Sequence, residues 1–377
     1  YNNFKYHQSL YNQNMSQPIN LAIVGTGIFA TDNHLPTIQK IPGLKPYAAY
    51  NRTKSKAETF AQKANIALDK VYDSLEEIFE DKDVEFVDAL LPVQFNVDAV
   101  KLAVKNNKPI CFEKPIAANL DQAKEIVKLS ESTDLPILVL ENWAYLKAID
   151  ILKNEILPKI GDVVAFTYNA TGPFNDANKY LATGWRLKPE HIGGFLSDGG
   201  VHQLALLTEV LGDVESVSGL TQQLKEQSGT DDVLFSTLKT AKGAIGTFTY
   251  GSAFGATDKS TFFKIFGTNG SATYDWSPSL PKPQITYATG ATSGQASSKT
   301  TIEIDEVNTI EEEFKNFKDA GLHHGAGRIP ASRPIPRPRN PTDHQRPPTP
   351  NAETTRRTPG THGHSATRSS ATPRKRG

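Results

Sequence analysis

The sequence contains a single cysteine, Cys111, among 377 residues. One thiol excludes an intramolecular disulfide framework and a cysteine-rich zinc site, and it is typical of a reducing compartment, so we expect a cytoplasmic protein. No uninterrupted apolar run approaches the roughly 18 residues of a membrane span, and the first residues contain no apolar core of the secretory type. The length and an apolar fraction of 38% suffice for two domains with hydrophobic cores.

Arginine is scarce in the first 320 residues, where only Arg52 and Arg186 occur. The segment 321–377 instead contains ten arginines and one lysine against two acids, a net charge of +9, together with ten prolines. We expect it to be a disordered tail produced by a shifted reading frame, the alternative being a basic arm for nucleic acid or an acidic surface. Because Met15 is the only methionine, we also expect residues 1–14 to be a non-native upstream extension.

A glycine motif follows the first apolar strand, which is expected at 21–24. The order of strand, tight turn and helix is the setting that the G-x-G-x-x-G/A dinucleotide fingerprint requires. The first glycine permits the turn, and the second lets the main chain approach a pyrophosphate at a helix N-terminus. We therefore predict that the motif binds a dinucleotide through Gly25, Thr26, Gly27, Ile28 and Phe29.

The next expected strand, 46–50, ends at Asn51-Arg52-Thr53. An NAD-preferring enzyme usually has an acid there to bind the ribose hydroxyls, and this chain has none. A guanidinium with hydroxyl and amide neighbours suits a 2′-phosphate, since it offers forked donors and a planar face for adenine. We predict NADP in preference to NAD, bound by these three residues; the alternative is that Arg52 is an exposed surface base.

Strands and helices alternate as far as residue 142, with further apolar strands expected at 86–91, 109–112 and 137–140. Such alternation predicts a Rossmann, doubly wound parallel sheet over residues 15–142. The loop after the strand at 86–91 should line the nicotinamide side of the cofactor through Leu91, Pro92, Gln94 and Asn96.

The pattern changes to a period of two after residue 142, so residues 143–320 are expected to form a substrate-binding and oligomerisation domain with a large, mostly antiparallel open-faced sheet. The overall class is thus α/β plus α+β. Its strands are expected at 163–169, 214–223, 232–240, 243–250, 261–267, 271–275 and 284–288, with 301–305 possible, before a helix that begins at Thr309.

The stretch Glu113-Lys114-Pro115 closes the apolar strand 109–112. The carboxyl edge of an open parallel sheet is where ligands bind, so we expect Glu113 and Lys114 to lie against the cofactor. Taken alone, the same residues also suit a solvated turn. Further along the chain, Asp198 and His202 are four residues apart and share a helix face if helical. Such a pair is an acid/base dyad, a structural hydrogen-bonded pair or half of a metal site, and no His or Cys cluster supplies the other ligands, so no metal is expected.

Taken together, these motifs resemble the glucose-fructose oxidoreductase, inositol dehydrogenase and MocA-type family of NAD(P)-dependent oxidoreductases. The resemblance covers about residues 20–317 and rests on the order of the motifs. They are the glycine motif, Glu113-Lys114-Pro115, Trp185-Arg186 and the Gly-Gly-x-x-x-Asp-x-Gly-x-His run from Gly193 to His202.

The resemblance implies that Lys114 hydrogen-bonds the reacting oxygen between nicotinamide and substrate, and that His202 is the general acid/base. Asp198 would orient His202 or hold a substrate hydroxyl. Residues implied to border the substrate or cofactor are Trp185, Arg186 and Asn142. The chain has Asn96 where many members have a histidine, which puts the cofactor contacts of that loop in doubt. The family's carboxyl-terminal sheet commonly pairs between subunits, which implies a homodimer or a higher homo-oligomer.

The expected function is NADP(H)-dependent hydride transfer to or from a hydroxyl or carbonyl carbon of a small-molecule sugar, polyol or aldehyde. The alternative is a non-catalytic dinucleotide sensor or transcriptional co-regulator of the same superfamily. Lys114, Asp198 and His202 are all present, which favours the enzyme. Neither a membrane nor nucleic acid is expected as a partner.

Overall fold

The computed structural model describes residues 17–177 and 190–322. Three features of the sequence analysis lie outside these ranges: the extension 1–14, the Trp185-Arg186 pair, and the tail from residue 323 onward with its basic residues. Within the described ranges, no helix is both long and apolar enough to cross a bilayer.

Six parallel strands form the first sheet, in the spatial order β3-β2-β1-β4-β5-β6. The order reverses direction at β1, which is the Rossmann arrangement, and it confirms the predicted doubly wound parallel sheet. The strands are β1 (Ile19–Val24), β2 (Leu44–Tyr50), β3 (Val71–Tyr72), β4 (Phe86–Ala89), β5 (Ile110–Glu113) and β6 (Ile137–Leu140).

Helices cover both faces of this sheet, and two of them begin at side-chain caps. Ser74 Oγ accepts from the Glu77 amide at 3.2 Å and Asn119 Oδ1 accepts from the Gln122 amide at 2.9 Å, so each satisfies an amide that the first helical turn leaves unpaired. After the glycine motif, a π-helical turn (Ala30–His34) continues into the first α-helix. The helices are α1 (Leu35–Ile38), α2 (Lys54–Ala64), α3 (Leu75–Glu80), α4 (Asn96–Lys105) and α5 (Leu120–Glu131).

The second sheet has eight strands in the order β14-β13-β12-β11-β7-β10-β9-β8. Only the β7–β10 pair is parallel, which confirms a mostly antiparallel sheet. Its strands are β7 (Val163–Pro173), β8 (Val214–Gln222), β9 (Val233–Thr240), β10 (Ile245–Phe254), β11 (Ser260–Gly267), β12 (Gly270–Asp275), β13 (Gln284–Thr289) and β14 (Thr300–Glu303).

Helices pack on one face of the second sheet and bury a core that includes Tyr168, Phe263 and Leu207. The segment after β6 is a 3₁₀ turn (Asn142–Tyr145), α6 (Lys147–Ile151), a π-helical turn (Leu152–Ile156) and α7 (Leu157–Ile160), and it is followed after β7 by α8 (Gly194–Leu211).

The last described helix, α9 (Thr309–Leu322), returns to the first sheet. Phe314 and Phe317 are buried there with Leu21 and Phe86, and the Phe86 and Phe317 rings lie 5.2 Å apart. Because α9 follows the second sheet in the chain and packs on the first, it ties the two sheets into one structure.

Candidate active site

The carboxyl ends of β5 and β6 place two charged side chains next to each other. Glu113 pairs in register with Leu140, so Lys114 and Glu141 follow the two strand ends at the same edge of the sheet. Parallel strands bring such residues together irrespective of their distance in sequence, and this edge is where open α/β sheets bind ligands.

Lys114 extends from this edge to the first turns of α8. Its Nζ lies 2.9 Å from Asp198 Oδ1 and donates a second hydrogen bond, of 2.7 Å, to the Asp198 carbonyl oxygen. The two side chains are 15% and 18% exposed, so the pair is largely, but not completely, shielded from water. The Lys114–Pro115 peptide bond is cis.

His202 lies one helical turn after Asp198 on α8, and its carboxylate partner is Glu141. Nδ1 of the ring is 2.6 Å from Glu141 Oε1, and the Trp143 indole stacks on the ring with centroids 5.6 Å apart. Because an ionised carboxylate only accepts, this contact assigns the proton to Nδ1 and leaves Nε2 to exchange a proton. Glu141 Oε1 also accepts from the Trp143 amide at 3.1 Å. The resemblance implies that Asp198 orients His202 or holds a substrate hydroxyl, and in the structure Asp198 pairs with Lys114.

Tyr250 packs against α8 beside Asp198. Its hydroxyl lies so close to Gly199 that a side chain at that position would collide with it. Burial, together with the nearby Asp198 carboxylate, raises the pKa of Tyr250 above its usual value, so the phenol stays protonated at neutral pH. Gly199 therefore permits a buried hydroxyl group next to the Lys114–Asp198 pair.

The glycine motif has the geometry of a dinucleotide-binding turn. Gly25 adopts a φ of +97°, and a Cβ atom there would lie 2.7 Å from the Leu90 carbonyl carbon and closer still to its oxygen. At Gly27 a Cβ atom would meet nothing within 4 Å, so the space above it is open. Thr26 Oγ1 is buried and bonds to none of the described residues. The open space and the unsatisfied hydroxyl both fit a bound pyrophosphate.

Asn51, Arg52 and Thr53 form a turn at the end of β2. Asn51 Oδ1 accepts from the Thr53 amide at 2.9 Å, while the side chains of Arg52 and Thr53 are exposed. In the part of the chain that the structure describes, no carboxylate pairs with the Arg52 guanidinium, so it can receive an anionic group.

The loop after β4 is held mainly by contacts within the protein. Gln94 Nε2 donates to Glu190 at 3.0 Å, whereas Leu91 and Pro92 are half-buried. Asn96 is buried, and its amide points at the carbonyl oxygens of Glu113, Pro115 and Ile116, 3.1 to 3.4 Å away. Asn96 therefore supports the turn that carries Lys114.

Two further predicted cofactor residues also have protein partners. Asn142 Nδ2 donates to Thr309 Oγ1 at 2.8 Å and so fixes the start of α9. Glu113 Oε1 lies 3.0 Å from His34 Nε2. Sequence reasoning missed the roles of His34, Glu141 and Trp143. The signal for Glu141 was its position directly after an apolar strand of the same parallel sheet as Lys114.

The family of the chain follows from comparison with known proteins. Residues 19–140 match the NAD-binding Rossmann-fold model of the oxidoreductase family named after glucose-fructose oxidoreductase, inositol dehydrogenase and MocA, and residues 153–324 match its C-terminal alpha/beta domain model. The chain belongs to this family. It is an oxidoreductase with a dinucleotide-binding Rossmann domain, as its motifs predict.

Several relatives are similar over most of the chain. The uncharacterised protein YMR315W of Saccharomyces cerevisiae is 55% identical over 80% of this chain and 87% of its own length. The dehydrogenase FPY6 of Fusarium mangiferae is 28% identical over 81% of this chain and 89% of its own. D-apiose dehydrogenase of Rhizobium rhizogenes is 26% identical over 66% of this chain and 71% of its own.

Solved structures show the same architecture. An oxidoreductase from Thermotoga maritima is 30% identical and superposes with a TM-score of 0.71 over 84% of this chain and 90% of that one. A 3-ketoreductase from Actinomadura kijaniata, crystallised with NADP and TDP-benzene, gives a TM-score of 0.65 over 82% and 91% of the two chains. At 17% identity, that likeness shows the fold alone.

Proposed function

We propose that this chain transfers a hydride, dependent on NADP(H), between nicotinamide and a hydroxyl or carbonyl carbon of a sugar, polyol or aldehyde. The observation that carries the proposal is the Lys114–Asp198 pair with His202 one turn away, at the sheet edge that also carries the glycine motif. The similarity to D-apiose dehydrogenase supports a sugar or polyol as the substrate class.

The catalytic roles follow from the contacts of each side chain. The nicotinamide, when bound, supplies or accepts the hydride. Lys114, steered by Asp198, offers an ammonium that stabilises negative charge developing on the substrate oxygen. His202 exchanges the proton through Nε2, because Glu141 holds Nδ1. Trp185 and Arg186 stay predictions for the pocket wall.

The preference for NADP rests on Arg52. The turn after β2 offers an exposed guanidinium and no acid, which suits a 2′-phosphate better than the ribose hydroxyls of NAD. The Actinomadura enzyme was crystallised with NADP, which supports the proposal that a fold of this kind can accommodate this cofactor. Tighter binding of NADPH than of NADH, with the difference lost in Arg52→Ala, is the expected outcome.

We assign dinucleotide binding to residues 15–142, and substrate binding and oligomerisation to residues 143–320. The outer face of the second sheet presents Leu220, Phe235 and Ile245 on three neighbouring strands, with exposed fractions of 82%, 54% and 59%. Leu220 and Phe235 are cross-strand partners. An apolar surface of this kind supports a homodimer or a higher homo-oligomer through the sheet. A cytoplasmic location stays a prediction.

The decisive experiment is turnover against a panel of sugars, polyols and aldehydes with NADP(H). Lys114→Ala and His202→Ala should each lose at least about a hundredfold in kcat, because proton transfer alone is worth roughly 10²–10⁴ in rate. Both variants should still bind NADPH, as followed by quenching of tryptophan fluorescence. Turnover like that of the wild type in either variant contradicts the assignment.

The same experiment separates the enzyme from a dinucleotide sensor. A sensor binds NADPH and turns over no member of the panel. A matched control is Lys282→Ala, because this lysine is half-exposed, pairs with Asp305 and lies in the turn just before β13, outside the proposed site. That variant should keep wild-type turnover and wild-type NADPH affinity.

A further inference from the structure

His34 is a completely buried histidine that contacts a carboxylate through each of its ring nitrogens. Nδ1 lies 2.8 Å from Asp88 Oδ2 on β4, and Nε2 lies 3.0 Å from Glu113 Oε1 at the end of β5. Both distances lie in the range of hydrogen bonds. The ring therefore joins two neighbouring parallel strands below the edge at which Lys114 emerges.

The surroundings favour the doubly protonated ring. Burial lowers the pKa of His34, but the attraction and hydrogen bond of Asp88, together with those of Glu113, outweigh it and raise the pKa to about 10. The edges of Phe29 and Phe314 close the ring off from water, with centroids 5.2 Å and 5.0 Å away. A third acid, Glu313 on α9, also faces this group. An imidazolium can donate from both nitrogens at once, as the two contacts require.

The position of His34 in the chain connects two parts of the site. It ends the π-helical turn Ala30–His34, which begins directly after the glycine motif. Its partner Glu113 is the residue immediately before Lys114. A single ring thus joins the helix that presents amides to the dinucleotide and the strand end that presents the ammonium to the substrate.

We propose that His34 is a positioning residue of the active site, which fixes Glu113 and through it the main chain from which Lys114 reaches Asp198. The proposal rests on the proposed function for its kinetic consequence, but the placement of Lys114 is measurable without turnover. The Asn96 side-chain amide also holds this turn, because Nδ2 points at the main-chain carbonyl oxygens of Glu113 and Pro115. Loss of the His34 contact therefore loosens the turn and leaves it folded.

Two substitutions separate the contacts of the ring. The amide of Asn reaches about as far as Nδ1, so His34→Asn keeps a donor to Asp88 and loses the contact with Glu113. The amide of Gln reaches about as far as Nε2, so His34→Gln keeps a donor to Glu113 and loses the contact with Asp88. A positioning role predicts that kcat falls at least tenfold in His34→Asn, with the KM for NADPH within twofold, and falls less than threefold in His34→Gln.

The placement of Lys114 is read directly from its labelling by trinitrobenzenesulfonate, followed by peptide mass spectrometry. In His34→Asn, Lys114 should react at least threefold faster than in the wild type, because it leaves Asp198 more often. Exposed Lys282 should react at an unchanged rate in both proteins, as the internal control. Circular dichroism and NADPH binding establish that each variant is folded.

The outcomes distinguish this proposal from the proposed function. Faster labelling of Lys114 in His34→Asn supports the positioning role even if the wild type turns over no substrate, a result that would reject the enzyme alone. Unchanged labelling and unchanged kcat in folded His34→Asn overturn the positioning role. Equal losses of kcat in the Asn and Gln variants also overturn it, because they would trace the effect to the ring's packing and not to Glu113.

Discussion

Replacing Gly25 and Gly27 separately by alanine tests the dinucleotide turn. The structure predicts a loss of stability at Gly25 and a loss of NADPH affinity at Gly27, although the two positions are only two residues apart. Gly25 has a φ of +97°, where an alanine costs about 1–2 kcal/mol. Its Cβ atom would also overlap the main chain of Leu90, and relief of such overpacking typically costs about 1–3 kcal/mol. Gly25→Ala should therefore lose roughly 2–5 kcal/mol of the free energy of unfolding.

Gly27→Ala is the matched variant. Its Cβ atom meets nothing within 4 Å and its φ is not in the left-handed region, so stability should change by less than about 0.5 kcal/mol. The new methyl group would occupy the space into which we place the pyrophosphate, and NADPH affinity should fall at least tenfold. Urea denaturation and titration with NADPH give the two quantities. Wild-type stability in Gly25→Ala would refute the tight turn, and wild-type affinity in Gly27→Ala would refute the binding mode.

Three further predictions concern Glu141, His34 and Glu313. Glu141→Gln should lower kcat at least tenfold with an unchanged Kd for NADPH, because a neutral amide holds the His202 tautomer less firmly. The pKa of His34 is raised from 6.5 to about 10, so the stability it contributes is complete below about pH 6.5 and is lost as the pH rises through 10. Urea midpoints should fall more steeply over that window in the wild type than in His34→Asn. Burial raises the pKa of Glu313 above its ordinary 4.5, so ionisation of this carboxyl opposes folding above that pH. The variant Glu313→Gln should therefore be more stable than the wild type by about 1–3 kcal/mol at pH 7. Below pH 4.5 it should be no more stable than the wild type.

Most of the fold could be predicted because its signals are local. The apolar run 21–24, the glycine turn and the alternation of strands with helices are each readable within about ten residues, and all lead to one parallel sheet. The predicted strand 86–91 ends at Ala89 in the structure, since Leu90 and Leu91 turn over Gly25. The segment 142–156 divides into a 3₁₀ turn, a short α-helix and a π-helical turn, a division that periodicity does not reveal.

The side-chain partners in the site could not be predicted from spacing. Asp198 and His202 are four residues apart and share one face of α8, which favours a direct pair. In the structure, each meets a residue far away in sequence, since Lys114 is 84 positions from Asp198 and Glu141 is 61 positions from His202. Their choice of partner is set by how α8 lies across the ends of β5 and β6, a tertiary property that local pattern does not contain.

The burial of Asp88 was the one available sign of the His34 contact. An acid inside an apolar strand has to be paired or protonated, because an isolated buried carboxylate is very costly. Here the pairing is supplied by His34, from a helix 54 positions earlier. The same requirement explains Glu313, whose Oε2 bonds to none of the described residues and whose raised pKa favours the protonated form.

Two carboxylates thus share the charge of His34, and a third is neutralised by a proton. The Lys114 ammonium is then left to Asp198 and, when substrate binds, to the reacting oxygen. A residue at position 34 that cannot reach Glu113, such as asparagine, would leave the Glu113 carboxylate without its partner directly beside Lys114, and the Lys114 ammonium would spend less time at Asp198.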